Sequence, residues 1–200
     1  MNFDHYLFDL DGTIVATKEI HHKSFNQALS FFNTKIIPDS ELSLYEALPS
    51  TAKIDKYNRL NNTSISLEEF IPKKNFFCLK NIENAKNIYD SQIYNIFKSL
   101  KQKSKTITIC SNCTEYTARI ILDKMDLHSF INNIYHNKSC KPKPAPDMYR
   151  LAVNNAKIDS AHSIIFEDSE IGIKSALNSF KDINIVRVNN PDALKLLFDI

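Results

Sequence analysis

The sequence predicts an α/β protein, with a parallel sheet covered by helices on both faces and a small helical insertion after the first strand. Three observations predict it. Short runs rich in Ile, Val, Phe and Tyr alternate with segments of helical periodicity. That alternation is broken once, over residues 15–85, where only helical patterns occur. Acids, hydroxyls and lysines follow the ends of the apolar runs, the rim where open α/β sheets bind ligands.

The predicted strands are His5–Phe8, Thr106–Cys110, Ile131–Tyr135, Ser163–Phe166 and Asn184–Val188. Their apolar character throughout suits parallel strands buried on both faces. In the insertion, Phe25, Ala28, Leu29 and Phe32 share one helical face, and Ser66 with Glu69 forms a capping box ahead of Phe70. A connection of this length far exceeds an ordinary βα loop of about 2–6 residues, so 15–85 reads as a helical unit placed above the sheet. Ile93, Ile96, Phe97 and Leu100 keep the i, i+3, i+4, i+7 spacing of an amphipathic helix, and Ala118, Ile121, Leu122 and Met125 repeat it. Near the end, Asn190 and Pro191 read as an N-cap and first helical position before Ala193, Leu194, Leu197 and Phe198.

Two hundred residues with 43% hydrophobic and 24% charged composition suit a domain of ordinary size carrying a modest insertion. A formal net charge of +2, with lysines interleaved among acids, points away from nucleic-acid and membrane surfaces. No apolar run approaches the roughly 20 residues of a membrane helix, and the first residues lack the marks of a signal peptide. Cys78, Cys110, Cys113 and Cys140 form no disulfide pattern, so a reduced, cytoplasmic setting is expected. Only Gly12 and Gly172 occur, where about 7% glycine is usual. Both stand beside clustered acids and are expected where a side chain cannot be tolerated.

The first strand runs into Asp9, Asp11, Gly12 and Thr13, the second into Ser111 and Asn112, and the fourth into Glu167, Asp168 and Ser169. A Pro-rich loop, Lys141 to Pro146, contributes two lysines. Asp9, Asp11 and Asp168 offer hard oxygen ligands of the kind Mg²⁺ takes, with substrate phosphate and water completing the shell. One carboxylate can attack phosphorus, and a second can protonate the leaving oxygen and then activate water. Phosphoryl transfer needs chiefly positioning and charge neutralisation, which the metal and a lysine supply.

Phe8-Asp9-Leu10-Asp11-Gly12-Thr13 resembles the first motif of the haloacid dehalogenase superfamily of phosphotransferases. Ile107 to Asn112 resembles the second, Lys143-Pro144-Ala145-Pro146-Asp147-Met148-Tyr149 the third, and Ile164 to Ser169 with Gly172 and Ile173 the fourth. All four stand in the family order, and the resemblance covers residues 3–190. It implies a Rossmann-like catalytic core from residues 1–14 and 86–200, with 15–85 as the cap of the subgroup that includes sugar-phosphate phosphatases and β-phosphoglucomutase. It further implies Asp9 as nucleophile and Asp11 as general acid/base, Asp11 also giving a backbone carbonyl to Mg²⁺. Ser111 would bind the phosphoryl group, with Asn112 and Thr13 lining the same pocket. Lys143 would pair with phosphate and Asp9, and Asp168 would hold the metal with Glu167 behind it. Lys141 also precedes a proline, but the longer match through Pro146 and Asp147 favours Lys143. Ala16 and the segment Ala47-Leu48-Pro49-Ser50 depart from the family pattern, where many relatives carry an acid and a glycine. Both positions belong to the cap and its hinge and bear on substrate choice.

Plainer readings stand beside these. Ser111 and Asn112 are suited to capping the next helix, and a cap is compatible with phosphate binding. Cys110 and Cys113 make a C-x-x-C, a redox pattern set aside because Cys110 falls inside a strand. His21 and Lys53 are candidate substrate contacts from the cap and equally ordinary polar helix residues. The expected activity is Mg²⁺-dependent hydrolysis of a small phosphorylated metabolite by a monomer or weak dimer. A phosphomutase is the alternative, and a phospho-acceptor module without turnover is a third reading.

Overall fold

The computed structural model describes residues 2–198 apart from 46, 47, 49 and 87, so Ala47 and Pro49 of the departing cap segment lie outside the described residues. The chain divides into two compact units, residues 1–17 with 86–200, and Lys18–Ala85.

In the first unit, β1 (His5–Phe8) opens the sheet. The second unit then contributes α1 (Lys18–Phe31), α2 (Ser50–Asn61) and α3 (Leu67–Asn84). Back in the first unit follow α4 (Ser91–Gln102), β2 (Thr106–Cys110), α5 (Glu115–Lys124), β3 (Asn133–Tyr135) and α6 (Asp147–Ala156). The unit ends with β4 (Ser163–Glu167), α7 (Glu170–Leu177), β5 (Asn184–Arg187) and α8 (Pro191–Leu196). All five strands pair in parallel in the order β3-β2-β1-β4-β5. β1 is therefore central, and the loops leaving β1, β2 and β4 emerge side by side.

Strand alternation dresses both faces. Tyr6 and Phe8 point to one side, where Phe8 stacks on Phe166 at 4.8 Å and meets Phe97 of α4 at 4.9 Å. Phe198, just past α8, closes that layer against Tyr6 at 6.1 Å. Leu7 points the other way, into a cluster with Cys110, Ile165, Met148 and Tyr149 of α6, and Ala176 of α7. Two helices that start on the ligand rim are capped by side chains, α5 by Thr114 and α7 by Ser169. Asn190 caps α8 as its position predicts, its Oδ1 accepting from Ala193 N at 2.8 Å.

Three strand boundaries differ from the sequence pattern, the first being β5, which ends at Arg187 rather than Val188. β3 begins at Asn133 rather than Ile131, because His128–Phe130 forms a 3₁₀ turn and the Asn132 side chain takes a hydrogen bond from Ile107 N at 2.9 Å. β4 runs one residue further, to Glu167. The first unit also extends past residue 14, because Gly12 N donates to Val15 O at 2.8 Å and the Thr17 hydroxyl to Asp11 Oδ1 at 2.7 Å.

The helical unit has its own core. Phe25, Ala28 and Leu29 of α1 pack with Ile37, Tyr45, Ile54, Tyr57 and Phe70. Phe25 and Phe70 lie 4.7 Å apart, and the capping box starts α3, with Glu69 N donating to Ser66 Oγ and Ser66 Oγ to Glu69 Oε2. Among the described residues no helix is long and apolar enough to cross a membrane.

Candidate active site

The β1–β4 ladder continues one step beyond β1, where Asp9 N donates to Phe166 O at 2.9 Å. This pins Asp9 at the strand end and leaves its side chain 11% exposed. The chain then turns sharply, with Ile14 and Val15 amides both donating to Leu10 O at 3.2 Å. Gly12 makes the turn possible with φ +93, and a Cβ there would sit 2.7 Å from Asp168 Cγ. The other glycine has the same relation to the other acid, since a Cβ at Gly172 would overlap the Glu167 carboxylate. Both glycines clear space for carboxylates on the rim.

Asp11 is oriented by the Thr17 hydroxyl. Thr13 is fully buried, and its hydroxyl has no hydrogen-bond partner among the described residues. Beyond β2, Ser111 is buried and its amide donates to Tyr135 O at 3.0 Å, while its Oγ accepts from Cys113 N at 3.1 Å. Thr114, not Ser111 or Asn112, caps the following helix. Asn112 instead clasps the backbone of Lys143: its Nδ2 donates to Lys143 O at 2.9 Å and its Oδ1 accepts from Lys143 N at 2.8 Å. A residue expected to line the pocket thus fixes the loop that carries the lysine.

Lys143 is buried while Lys141 is exposed. The Lys143 ammonium donates to Asp9 Oδ1 at 2.8 Å, to Cys110 O at 2.7 Å and to Glu167 Oε1. The Tyr149 ring lies beneath it, 4.9 Å to the centroid. Burial alone would lower the Lys143 pKa, but Asp9 and Glu167 outweigh burial and hold it above the ordinary lysine value. Asp9 moves the other way from a usual ion-paired acid. Its burial raises its pKa well above the ordinary value, Lys143 opposes this, and Glu167 repulsion adds to it. Asp168, half-buried, is pushed up to about 6, first by burial and then by Glu167. The site therefore holds more carboxylate charge than its one buried ammonium can balance.

That imbalance is what a hard divalent cation relieves. Side-chain oxygens of Asp9, Glu167 and Asp168 lie within 4.8 Å of one another, a spread one small ion can bridge. Asp11 is not in this side-chain group, and the role expected of it toward a metal uses its backbone carbonyl. The donor set, all oxygen with excess negative charge, fits Mg²⁺.

The C-x-x-C presents no activated thiolate of the kind redox chemistry uses. Burial pushes the thiols of Cys110 and Cys113 well above the ordinary value, the opposite of a reactive thiolate, and all four cysteines are free. His21 and Lys53 belong to the helical unit. There His21 Nδ1 lies 3.2 Å from Lys74 Nζ and 3.4 Å from Cys78 Sγ. Lys53 sits on α2, where its charge lowers the pKa of nearby His22 after burial has done so. Two buried polar groups drew no attention in the sequence, Lys74, which is 7% exposed, and the hydroxyl of Tyr149. Lys74 had no signal among many surface lysines, whereas Tyr149 stood inside a recognised motif without an assigned part.

Residues 6–186 match the haloacid dehalogenase-like hydrolase family. A probable pseudouridine-5'-phosphatase of Saccharomyces cerevisiae is 25% identical, the match spanning 96% of this chain and 85% of the yeast protein. A fructose-1-phosphate phosphatase of Escherichia coli is 20% identical, over 91% and 95%. A HAD hydrolase of family IA, variant 3, from Entamoeba histolytica superposes with a TM-score of 0.80 at 21% identity, covering 98% of this chain and 89% of that one. A CbbY variant from Rhodobacter sphaeroides, solved with xylulose 1,5-bisphosphate, superposes at 0.77 with 16% identity, over 92% and 84%.

Proposed function

The chain belongs to the haloacid dehalogenase-like hydrolases, and we propose that it is a Mg²⁺-dependent phosphatase that hydrolyses a small phosphomonoester through a phospho-aspartate at Asp9. One observation carries the reading: a buried lysine is held on Asp9 Oδ1 in the same pocket where Asp168 and Glu167 bring further carboxylate oxygens. A lone carboxylate in that position would repel a phosphate. Paired with Lys143 and balanced by a cation, it can approach one.

In this reading the Asp9 carboxylate attacks phosphorus and the bond to the leaving oxygen breaks. Asp11, held in orientation by Thr17, gives its proton to that oxygen. It then takes a proton from the water that attacks the phospho-aspartate, which releases inorganic phosphate and restores Asp9. Ser111 donates its hydroxyl to a phosphoryl oxygen, and Lys143 balances charge on the nucleophile and phosphate. Asp9 and Asp168 with the Asp11 carbonyl would hold Mg²⁺, which when bound supplies charge stabilisation at the phosphoryl oxygens. We assign residues 1–17 and 86–200 to the catalytic core and 18–85 to the cap, with His21 and Lys53 as its candidate substrate contacts. The relatives named as a probable pseudouridine-5'-phosphatase and a fructose-1-phosphate phosphatase support a phosphorylated sugar or nucleoside as the substrate class.

The test is phosphate release from a panel of sugar phosphates, nucleotides and other phosphomonoesters, with and without Mg²⁺, alongside Asp9→Asn. Release that requires both Mg²⁺ and Asp9 is expected. An isomerised sugar phosphate without net release would make the chain a phosphomutase, and a stable phospho-aspartate without turnover would make it an acceptor module. Wild-type activity in Asp9→Asn would refute the nucleophile assignment.

A further inference from the structure

Glu167 lies at the end of β4 with no exposed side-chain surface, yet it carries a charge next to the nucleophile's lysine. A carboxylate there needs donors on both oxygens. Oε2 receives the backbone amide and hydroxyl of Ser169, at 3.3 and 3.1 Å. Oε1 receives both Lys143 and the hydroxyl of Tyr149, the latter at 2.8 Å. Tyr149 is itself fully buried in α6, immediately after the loop that delivers Lys143. Burial and then the Glu167 charge push its hydroxyl well above the ordinary phenol value, so it serves as a donor. Its ring also faces the Lys143 ammonium. One side chain thus touches both members of the Lys143–Glu167 pair.

We propose that Tyr149 is a positioning residue of the phosphoryl-transfer site, whose hydroxyl locks Glu167 Oε1 in place and through it aims the Lys143 ammonium at Asp9 Oδ1. The role rests on the phosphatase reading but acts one step behind the chemistry. A free Glu167 carboxylate could rotate and draw Lys143 with it, which would loosen the charge balance at the nucleophile. Because Tyr149→Phe keeps the ring, it removes the hydroxyl alone and leaves the packing and cation–π contact in place. Tyr149→Leu removes both.

The experiment has two arms. In steady-state kinetics on a phosphomonoester that the wild type turns over, Tyr149→Phe should lower kcat about tenfold with KM within about twofold, the size of one hydrogen bond to a charged group. Added to Glu167→Gln, it should cause no further loss, because the path through Glu167 is already broken. In the second arm, 15N NMR follows the Lys143 ammonium, assigned through its side-chain carbons. Its protons should exchange slowly in the wild type and faster in Tyr149→Phe. Unchanged kcat and unchanged exchange overturn the proposal, as do losses that multiply in the double variant or a KM effect with kcat intact. Absence of any turnover in the wild type would reject the phosphatase reading, and the exchange arm would still decide the part played by Tyr149.

Discussion

Replacing Gly172 by alanine should destabilise the protein even though it improves the helix. Gly172 is the third residue of α7, and alanine is worth about 1 kcal/mol over glycine in a helix interior. Here the added Cβ would overlap all three atoms of the Glu167 carboxyl group. That carboxylate cannot simply step aside, because Lys143, Tyr149 and Ser169 hold both of its oxygens and it has no exposed surface. Overpacking a tight site costs about 1–3 kcal/mol, and breaking one hydrogen bond to a charged group costs about 1.5–3. Set against the helix gain, the net loss is about 3 kcal/mol, with a plausible span of about 1.5–5. Urea unfolding followed by circular dichroism reads it as a lower midpoint at unchanged slope. Phosphate release should fall as well, since a displaced Glu167 no longer holds Lys143. A variant equal to the wild type, or more stable by the helix increment, would refute the argument that this glycine exists to house a carboxylate.

Other expectations follow from the same geometry. His5 is buried on β1, bonded through Nε2 to Thr108, and burial lowers its pKa from 6.5 to about 4. Between those values the unfolded chain binds a proton that the folded chain refuses, so stability falls as pH drops from 6.5 toward 4 and is flat below. The His5 contribution is on the order of 3 kcal/mol, and His5→Gln should lose that part of the slope in unfolding curves across the window; identical slopes would count against it. Asp168→Asn should raise the Mg²⁺ concentration for half-maximal phosphate release at least tenfold, and an unchanged titration would remove Asp168 from the metal site. Lys143→Met leaves Asp9 and Glu167 facing each other in a buried site, so it should cost about 3–5 kcal/mol in unfolding free energy and eliminate turnover. Near-wild-type stability would show that the pair is not held as charges.

Much of the molecule was legible in the chain because the signals are local. A four-residue apolar run, a 3.6-residue apolar repeat or a capping box is readable within one window, so the strands, α4, α5 and the start of α3 followed from pattern. The two glycines beside acids also carried information, since a missing side chain marks a place where something else must fit. The end of the third strand was readable but its start was not, because the Asn132 side chain replaces a ladder carbonyl and ordinary strand periodicity does not encode that exchange.

What folding alone decided is which distant residues meet. The sheet order places β1 between β2 and β4, and only then do Asp9, Ser111 and Asp168 share a rim. Lys143 reaches Asp9 across 134 positions of sequence, and although the motif match favoured it over Lys141, only the fold buries the one and exposes the other. Asn112 turns out to clasp the lysine loop, and Tyr149 to hold Glu167, because α6 packs under the strand ends. The sequence by its own pattern determined the elements and the kinds of groups available for chemistry. The partners of those groups were set by long-range packing, because burial and charge balance are properties of what surrounds a side chain in space rather than along the chain.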